Sequence, residues 1–162
     1  MIKIYQTIVD KGHGNCMQAA IASLFELPLE IVPHFLESDD WFSVFYDFVR
    51  IQGYEFDGTL YNYNQWRIIN KRLGRPTAKG LRTRLYKIKK MEGVKGYFYA
   101  SVYSPKYYDR KDNPPITHAV IIDKNFNIVH DVNPNNDGLM SYPESKRLKY
   151  NGILDIYMIN PR

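Results

Sequence analysis

Cys16 is the only cysteine in the chain, and it stands in the stretch GHGNCMQAAIASLF, from Gly12 to Phe25. Asn15 is a favoured helix N-cap, and Gln18 three residues later completes a capping-box-like pair. Met17, Ala20, Ile21, Leu24 and Phe25 then recur at helical spacing. This pattern predicts a helix whose first residue is Cys16. At that position unpaired backbone N–H groups and the macrodipole favour negative charge. A thiol there has a depressed pKa and is nucleophilic near neutral pH. A lone intracellular cysteine is more often a small buried hydrophobe. Catalysis therefore requires a base and an orienting group from elsewhere in the chain.

The candidates for both lie on a hairpin. Ile116 to Asp123 and Phe126 to Val132 are β-branched runs separated by a short polar turn. A two-residue loop at Lys124 and Asn125, or a four-residue loop from Asp123 to Phe126, sets Val120 opposite Val129. The same register sets His118 opposite Asp131, with Cβ atoms about 4.5–5.5 Å apart. An odd loop would place the two on opposite faces. His130 points to the other face and is left out of the site. An imidazole paired with a carboxylate can take the thiol proton and later protonate a leaving group, while the carboxylate fixes its tautomer. The face carrying His118, Val120, Val129 and Asp131 is expected to pack on the Cys16 helix and to bring the imidazole to the sulfur.

The remaining elements must hold these residues in place. Ile2 to Ile8 alternates apolar and polar residues and reads as a short strand. Leu27-Pro28 ends the first helix, and Leu29 to Phe35 forms a second short turn or helix around Pro33. Ser38, Asp39 and Asp40 cap a longer helix through Ile51, with Trp41, Val44, Phe45, Phe48 and Val49 on one face and Gly53 at its end. Asn64 to Leu73 reads as another short helix. Gly96 to Tyr103 and Ile153 to Ile159 read as strands. Helices come first and strands later, so the expected class is α+β with a mainly antiparallel sheet, in a single domain over residues 1–162. Ser104 to Pro115, SPKYYDRKDNPP, is a long polar and aromatic loop of the kind that often carries function.

Composition narrows the function classes. The chain has 162 residues, enough for one full core. Its single cysteine excludes an internal disulfide and suits a reducing, cytoplasmic setting. One cysteine with scattered histidines gives no metal-ligand spacing, and no cofactor is indicated. No run reaches the length of a membrane span. Net charge is +5, and 14 tyrosines are present. The basic segment Lys79 to Lys90, KGLRTRLYKIKK, reads first as a solvated amphipathic face. With interleaved tyrosines it also suits a nucleic-acid or protein contact, the basis of a rival reading as a non-catalytic binding protein.

The chain resembles papain-like cysteine peptidases, most closely the C39-like branch and small phage and bacterial proteins of that type. The resembling pieces are Gln6-Thr7, GNCMQAAIASLFELPLEIVPHF from Gly14, YASVYSP from Tyr99, HAVIID from His118, and VHDVNP ending at Pro134. The order Cys, His, acid is the family order. The resemblance implies Cys16 as nucleophile, His118 as base and Asp131 as orienting acid. It implies Gln6 with the Cys16 backbone N–H as oxyanion hole. Asn133 is a rival for the third position, since papain uses an asparagine there; strand parity favours Asp131. Asn15, Tyr103, Ser104, Tyr107, Tyr108 and Asn133 are candidate substrate-binding residues. The expected substrate is a peptide or protein, cut or transferred at a peptide, isopeptide or glutamine amide bond. The expected setting is a phage or bacterial processing enzyme or effector.

Overall fold

The first helix, α1, runs over Cys16–Phe25 and is buried nearly all round. Ala19, Ala22 and Ser23 lie inside along with Met17, Ala20, Ile21 and Leu24. Small residues on the second side let the helix sit between the sheet and the N-terminal segment. The computed structural model describes residues 1–9, 14–61, 90–103, 117–125, 127–135 and 153–162. Glu26 ends α1 in a left-handed conformation, its N–H turned back to Ala22 and Ser23. Two single 3-10 turns follow, Leu29–Ile31 and Phe35–Glu37, in place of one continuous turn over Leu29 to Phe35. The second helix, α2, covers Trp41–Ile51. Asp40 accepts the Ser43 N–H at 3.3 Å as its cap, and Gly53 at φ +83° lets the chain leave.

Five strands form one antiparallel sheet in the order β1-β5-β2-β3-β4. They are β1 (Tyr54–Tyr61), β2 (Phe98–Tyr103), β3 (Thr117–Ile122), β4 (Ile128–Asp131) and β5 (Ile153–Pro161). The α+β class with an antiparallel sheet is therefore as expected. α1 packs on β3 and β2, and α2 packs on β1. One apolar cluster joins Ile21, Leu24, Phe45 and Phe48 of the helices to Phe56, Tyr99, Ala119, Ile121 and Ile159 of the sheet. Phe45 centres an aromatic group, its ring 5.2 Å from Phe56 and 5.5 Å from Tyr157. No single helix among the described residues is long and apolar enough to cross a membrane.

Several expectations need correction. Ile2 to Ile8 joins no sheet. It runs extended along α1, with the Ile4 N–H on the Ser23 hydroxyl at 2.8 Å and the Gln6 N–H on the Val132 carbonyl at 2.9 Å. Strand β1 was not anticipated, because Asp57 and Gly58 interrupt its alternation; the ladder to β5 shifts register there. Asn15 makes no side-chain cap. Its Oδ1 instead accepts the N–H groups of Thr7 (3.0 Å) and Ile8 (2.9 Å). Its Nδ2 donates to Thr7 Oγ1 (3.1 Å) and Gln18 Oε1 (3.0 Å). Gln18 Nε2 continues the network to the carbonyls of Leu29 (3.1 Å) and Val32 (2.7 Å). The expected helix over Asn64 to Leu73 lies outside the described residues, as does the basic segment apart from Lys90.

Asn15 thus ties the N-terminal segment to the start of α1. Its replacement by alanine removes four hydrogen bonds around a buried site. Asn15→Ala should lose about 2 kcal/mol, which lowers the melting temperature by roughly 4–8 °C in a chain of this size. Thermal melting followed by circular dichroism measures this, and an unchanged midpoint would show that the clamp carries no stability.

Candidate active site

Three elements converge on one sulfur. Cys16 opens α1 and is the free thiol. The β3–β4 register ends at Val120↔Asp131, so His118 and Ala119 run past the end of β4. The sulfur sits at this opened edge, where the backbone N–H groups of Ala119 and Met17 donate to it. His118 hydrogen-bonds the same sulfur. Its Nε2 lies 2.7 Å from Asp131 Oδ1, so Nδ1 is the nitrogen that meets the thiol. Asp131 is fully buried, and its Oδ1 also accepts the Asn133 N–H at 2.9 Å. The structure therefore brings Cys16, His118 and Asp131 together in one hydrogen-bonded line.

The hairpin reaches this geometry by a route that differs from the expected one. Residues 123–127 separate the pair Ile122↔Ile128, an odd loop. Asp123 closes it by accepting from the N–H groups of Asn125 (2.8 Å) and Asn127 (2.9 Å) and from Asn127 Nδ2 (2.8 Å). A bulge between Ile121 and Ile122 then adds one residue on β4. Odd loop and single-residue bulge cancel, so His118 and Asp131 share a face. Asp131 stands opposite Val120 rather than His118, and the pair is diagonal. A diagonal gap is within reach of an imidazole and a carboxylate. The shared face is also not the one that α1 covers. Ala119, Ile121 and Val132 belong to the cluster under α1, whereas Val120 does not. His118 meets Cys16 around the open edge of the sheet.

Charge at the site is set by opposing forces. Burial pushes the Cys16 thiol up, but the His118 hydrogen bond and charge, with the Ala119 and Met17 N–H groups, bring it below the usual thiol value. Burial likewise pulls the His118 imidazole down, and its bonds to Asp131 and Cys16 outweigh this and push it up to about 9. The two shifts favour a thiolate beside an imidazolium at neutral pH. Such a pair is tolerated in a partly closed site because each charge is hydrogen-bonded. Cys16 as a residue is only half-buried.

The other candidates divide. Gln6 is buried, with Nε2 at a long 3.4 Å from the Ile8 carbonyl and Oε1 without a hydrogen-bond partner. Asn15 has all its hydrogen-bonding capacity engaged within the protein, which removes it from substrate binding. Asn133 uses its Oδ1 on the Asn135 N–H at 3.0 Å, and the place beside His118 belongs to Asp131. His130 faces away, its Nε2 2.9 Å from the Ile4 carbonyl and its ring against Tyr5. Tyr103 lies on β2, where only its backbone is described. Ser104, Tyr107, Tyr108 and the rest of the 104–115 loop lie outside the described residues. Among the described residues, no group of three His, Cys, Asp or Glu could hold a metal ion.

The Ala119 N–H contact was missed in the sequence because it is a backbone group, which residue type does not reveal. Asp155 was missed although it left a signal, as the one charged residue in the strand ILDIYMI. It sits opposite Ser101 on β2, and Ser101 in turn stands opposite Ala119 on β3. Comparison of the chain with family models, with curated proteins and with solved structures finds no match to any of them.

The electrostatics predict how Cys16 reacts. An ordinary thiol alkylates about tenfold faster per pH unit until it passes its pKa near 8.5. Cys16 should reach its plateau at lower pH, because its thiolate is held by His118. In His118→Ala burial remains and its main opponent is gone, so the titration should move above that of a free thiol. Iodoacetamide rates between pH 5 and 10, read by intact mass, check both shifts; coincident profiles for the two proteins would remove the ion pair.

Proposed function

We propose that the chain is a cysteine hydrolase or acyl-transfer enzyme with a papain-like arrangement, acting on a peptide, isopeptide or glutamine amide bond. The observation that carries this reading is the line from the Cys16 sulfur through the His118 imidazole to the buried Asp131 carboxylate. Nucleophile, base and orienting acid come from α1, β3 and the end of β4, so the fold itself holds their spacing.

The chemistry follows from these positions. The Cys16 thiolate adds to the amide carbonyl carbon, and the carbonyl oxygen takes up the negative charge. The Cys16 N–H and the Gln6 amide are the donors for that oxygen. Gln6 Nε2 holds one long hydrogen bond, 3.4 Å to the Ile8 carbonyl, which leaves its second N–H for this role. His118 then gives its proton to the departing amine, the C–N bond breaks and a thioester remains. Water or an incoming amine loses a proton to His118, attacks the thioester carbon and releases the thiolate. Hydrolysis and transfer differ only in that second nucleophile. The single cysteine, kept as a thiolate, suits a reducing cytoplasmic setting.

Variants test the unit. Cys16→Ala should abolish turnover and leave the melting temperature within about 2 °C, because the change in volume is small. Asp131→Asn should keep the fold and lower the rate by roughly 10²–10⁴, since an amide can hold the wrong imidazole tautomer. Adding Asp131→Asn to His118→Ala should cost little more, as for residues that act together. The measurement is release of product from a library of fluorogenic peptide, isopeptide and glutamine-amide substrates. Full turnover by Cys16→Ala would overturn the reading.

A further inference from the structure

Beside the proposed catalytic line lies a carboxylate that the line does not use. Asp155 on β5 pairs with Ser101 on β2, and Ser101 pairs with Ala119 on β3. The three residues form one cross-strand row. Its far end is the Ala119 N–H that touches the Cys16 sulfur. Two strand spacings, about 10 Å, therefore separate Asp155 from the backbone that contacts the nucleophile.

The row lies on the sheet face against which α1 packs, level with Cys16 at the very start of that helix, while Ala119 and Tyr99 join the cluster beneath it. Tyr99 lies between the two sites. Burial raises its phenol most, and the charges of Tyr157, Cys16 and Asp155 raise it further, so it senses both.

The surroundings of Asp155 are unusual for a carboxylate. Ser101 donates to it through its hydroxyl and its backbone N–H. The other oxygen, Oδ1, is buried and has no hydrogen-bond partner, although the residue as a whole is only half-buried. Among the described residues no Lys or Arg pairs with it. Burial accordingly raises its pKa, and only Ser101 opposes the shift. Leaving a buried acceptor without a donor is unfavourable. Tyr157 stands two positions along the same strand, its ring 4.4 Å from that of Tyr99, so aromatic surface flanks the carboxylate. An unpaired carboxylate beside tyrosine rings is the chemistry that binds an ammonium or guanidinium, by a charge-assisted hydrogen bond and by the ring faces.

We infer that Asp155, flanked by Tyr99 and Tyr157, is a specificity site that takes a lysine or arginine side chain from one of the two substrate residues before the scissile bond. The inference rests on the proposed thiol chemistry of Cys16. A long basic side chain is of a length to cover the two strand spacings between the nucleophile and Asp155. Its cation supplies the donor that Oδ1 lacks, and arginine can engage both carboxylate oxygens.

Covalent probes test this and separate it from the reading on which it rests. Six dipeptidyl acyloxymethyl ketones would carry lysine, arginine or norleucine at one or other of the two positions before the reactive ketone. Labelling of Cys16 is followed by intact mass. The expected result is labelling at least tenfold faster by the lysine and arginine probes at one position. Asp155→Asn keeps the shape and the Ser101 contact, and should erase that preference while the norleucine rate is unchanged. Equal rates for the three side chains at both positions on the native chain would overturn the inference and leave the thiol chemistry standing. A uniform fall for every probe in Asp155→Asn would make Asp155 a structural residue and also overturn it. Failure of every probe to label Cys16 would overturn both.

Discussion

The contact between Cys16 and His118 is the constraint on which the rest of the site depends. It joins the first residue of α1 to a strand near the other end of the chain, and it exists because β4 stops short of His118. A ladder one pair longer would place a β4 residue opposite Ala119, where the sulfur now receives the Ala119 N–H. Sheet termination thus shapes the candidate site. The turn at Val132 carries the chain away from β3 and lets its carbonyl accept the Gln6 N–H. The same departure therefore places both the thiol and the candidate oxyanion residue.

The electrostatic consequence follows from the burial of His118 and Asp131. A buried thiolate or imidazolium alone would neutralise. Side by side, each supplies the stabilising charge of the other, and Asp131 anchors the cationic end. Asp131 is itself held by the Asn133 N–H, a contact available only because the chain turns sharply after β4. Asp131, His118 and Cys16 are each tied by at least one bond to backbone or to one another. Their spacing then depends on the packing of α1 against β3, and the alanines at positions 19 and 22 permit that close packing.

Much of this was legible in the residues, and the failures share a cause. Glycines before Cys16 and the apolar repeat after it mark α1 correctly, because helix periodicity is a local signal. The strands at 98–103, 117–122, 128–131 and 153–161 show in their β-branched and aromatic runs. What local pattern cannot convey is the partner of a side chain. Asn15 has the composition of an N-cap, yet its amide goes to Thr7, Ile8 and Gln18 because the N-terminal segment lies alongside. Ile2 to Ile8 alternates like a strand but meets a helix and the end of β4 instead of a sheet edge. Strand β1 hides behind Asp57 and Gly58, whose irregularity the ladder absorbs.

The hairpin shows why a right pairing can come from a wrong register. Side-chain direction along a strand depends on parity alone. The odd loop shifts the pairing by one residue, and the bulge shifts it by one more, so the sum is even. His118 and Asp131 stay on one face, displaced from opposite to diagonal, and the imidazole and carboxylate are long enough to close the added gap to 2.7 Å. Removing the bulge alone would separate His118 and Asp131 by the thickness of the sheet while leaving every strand in place. The bulge is therefore as much a part of the candidate site as the three side chains, though it contributes no reactive atom to it.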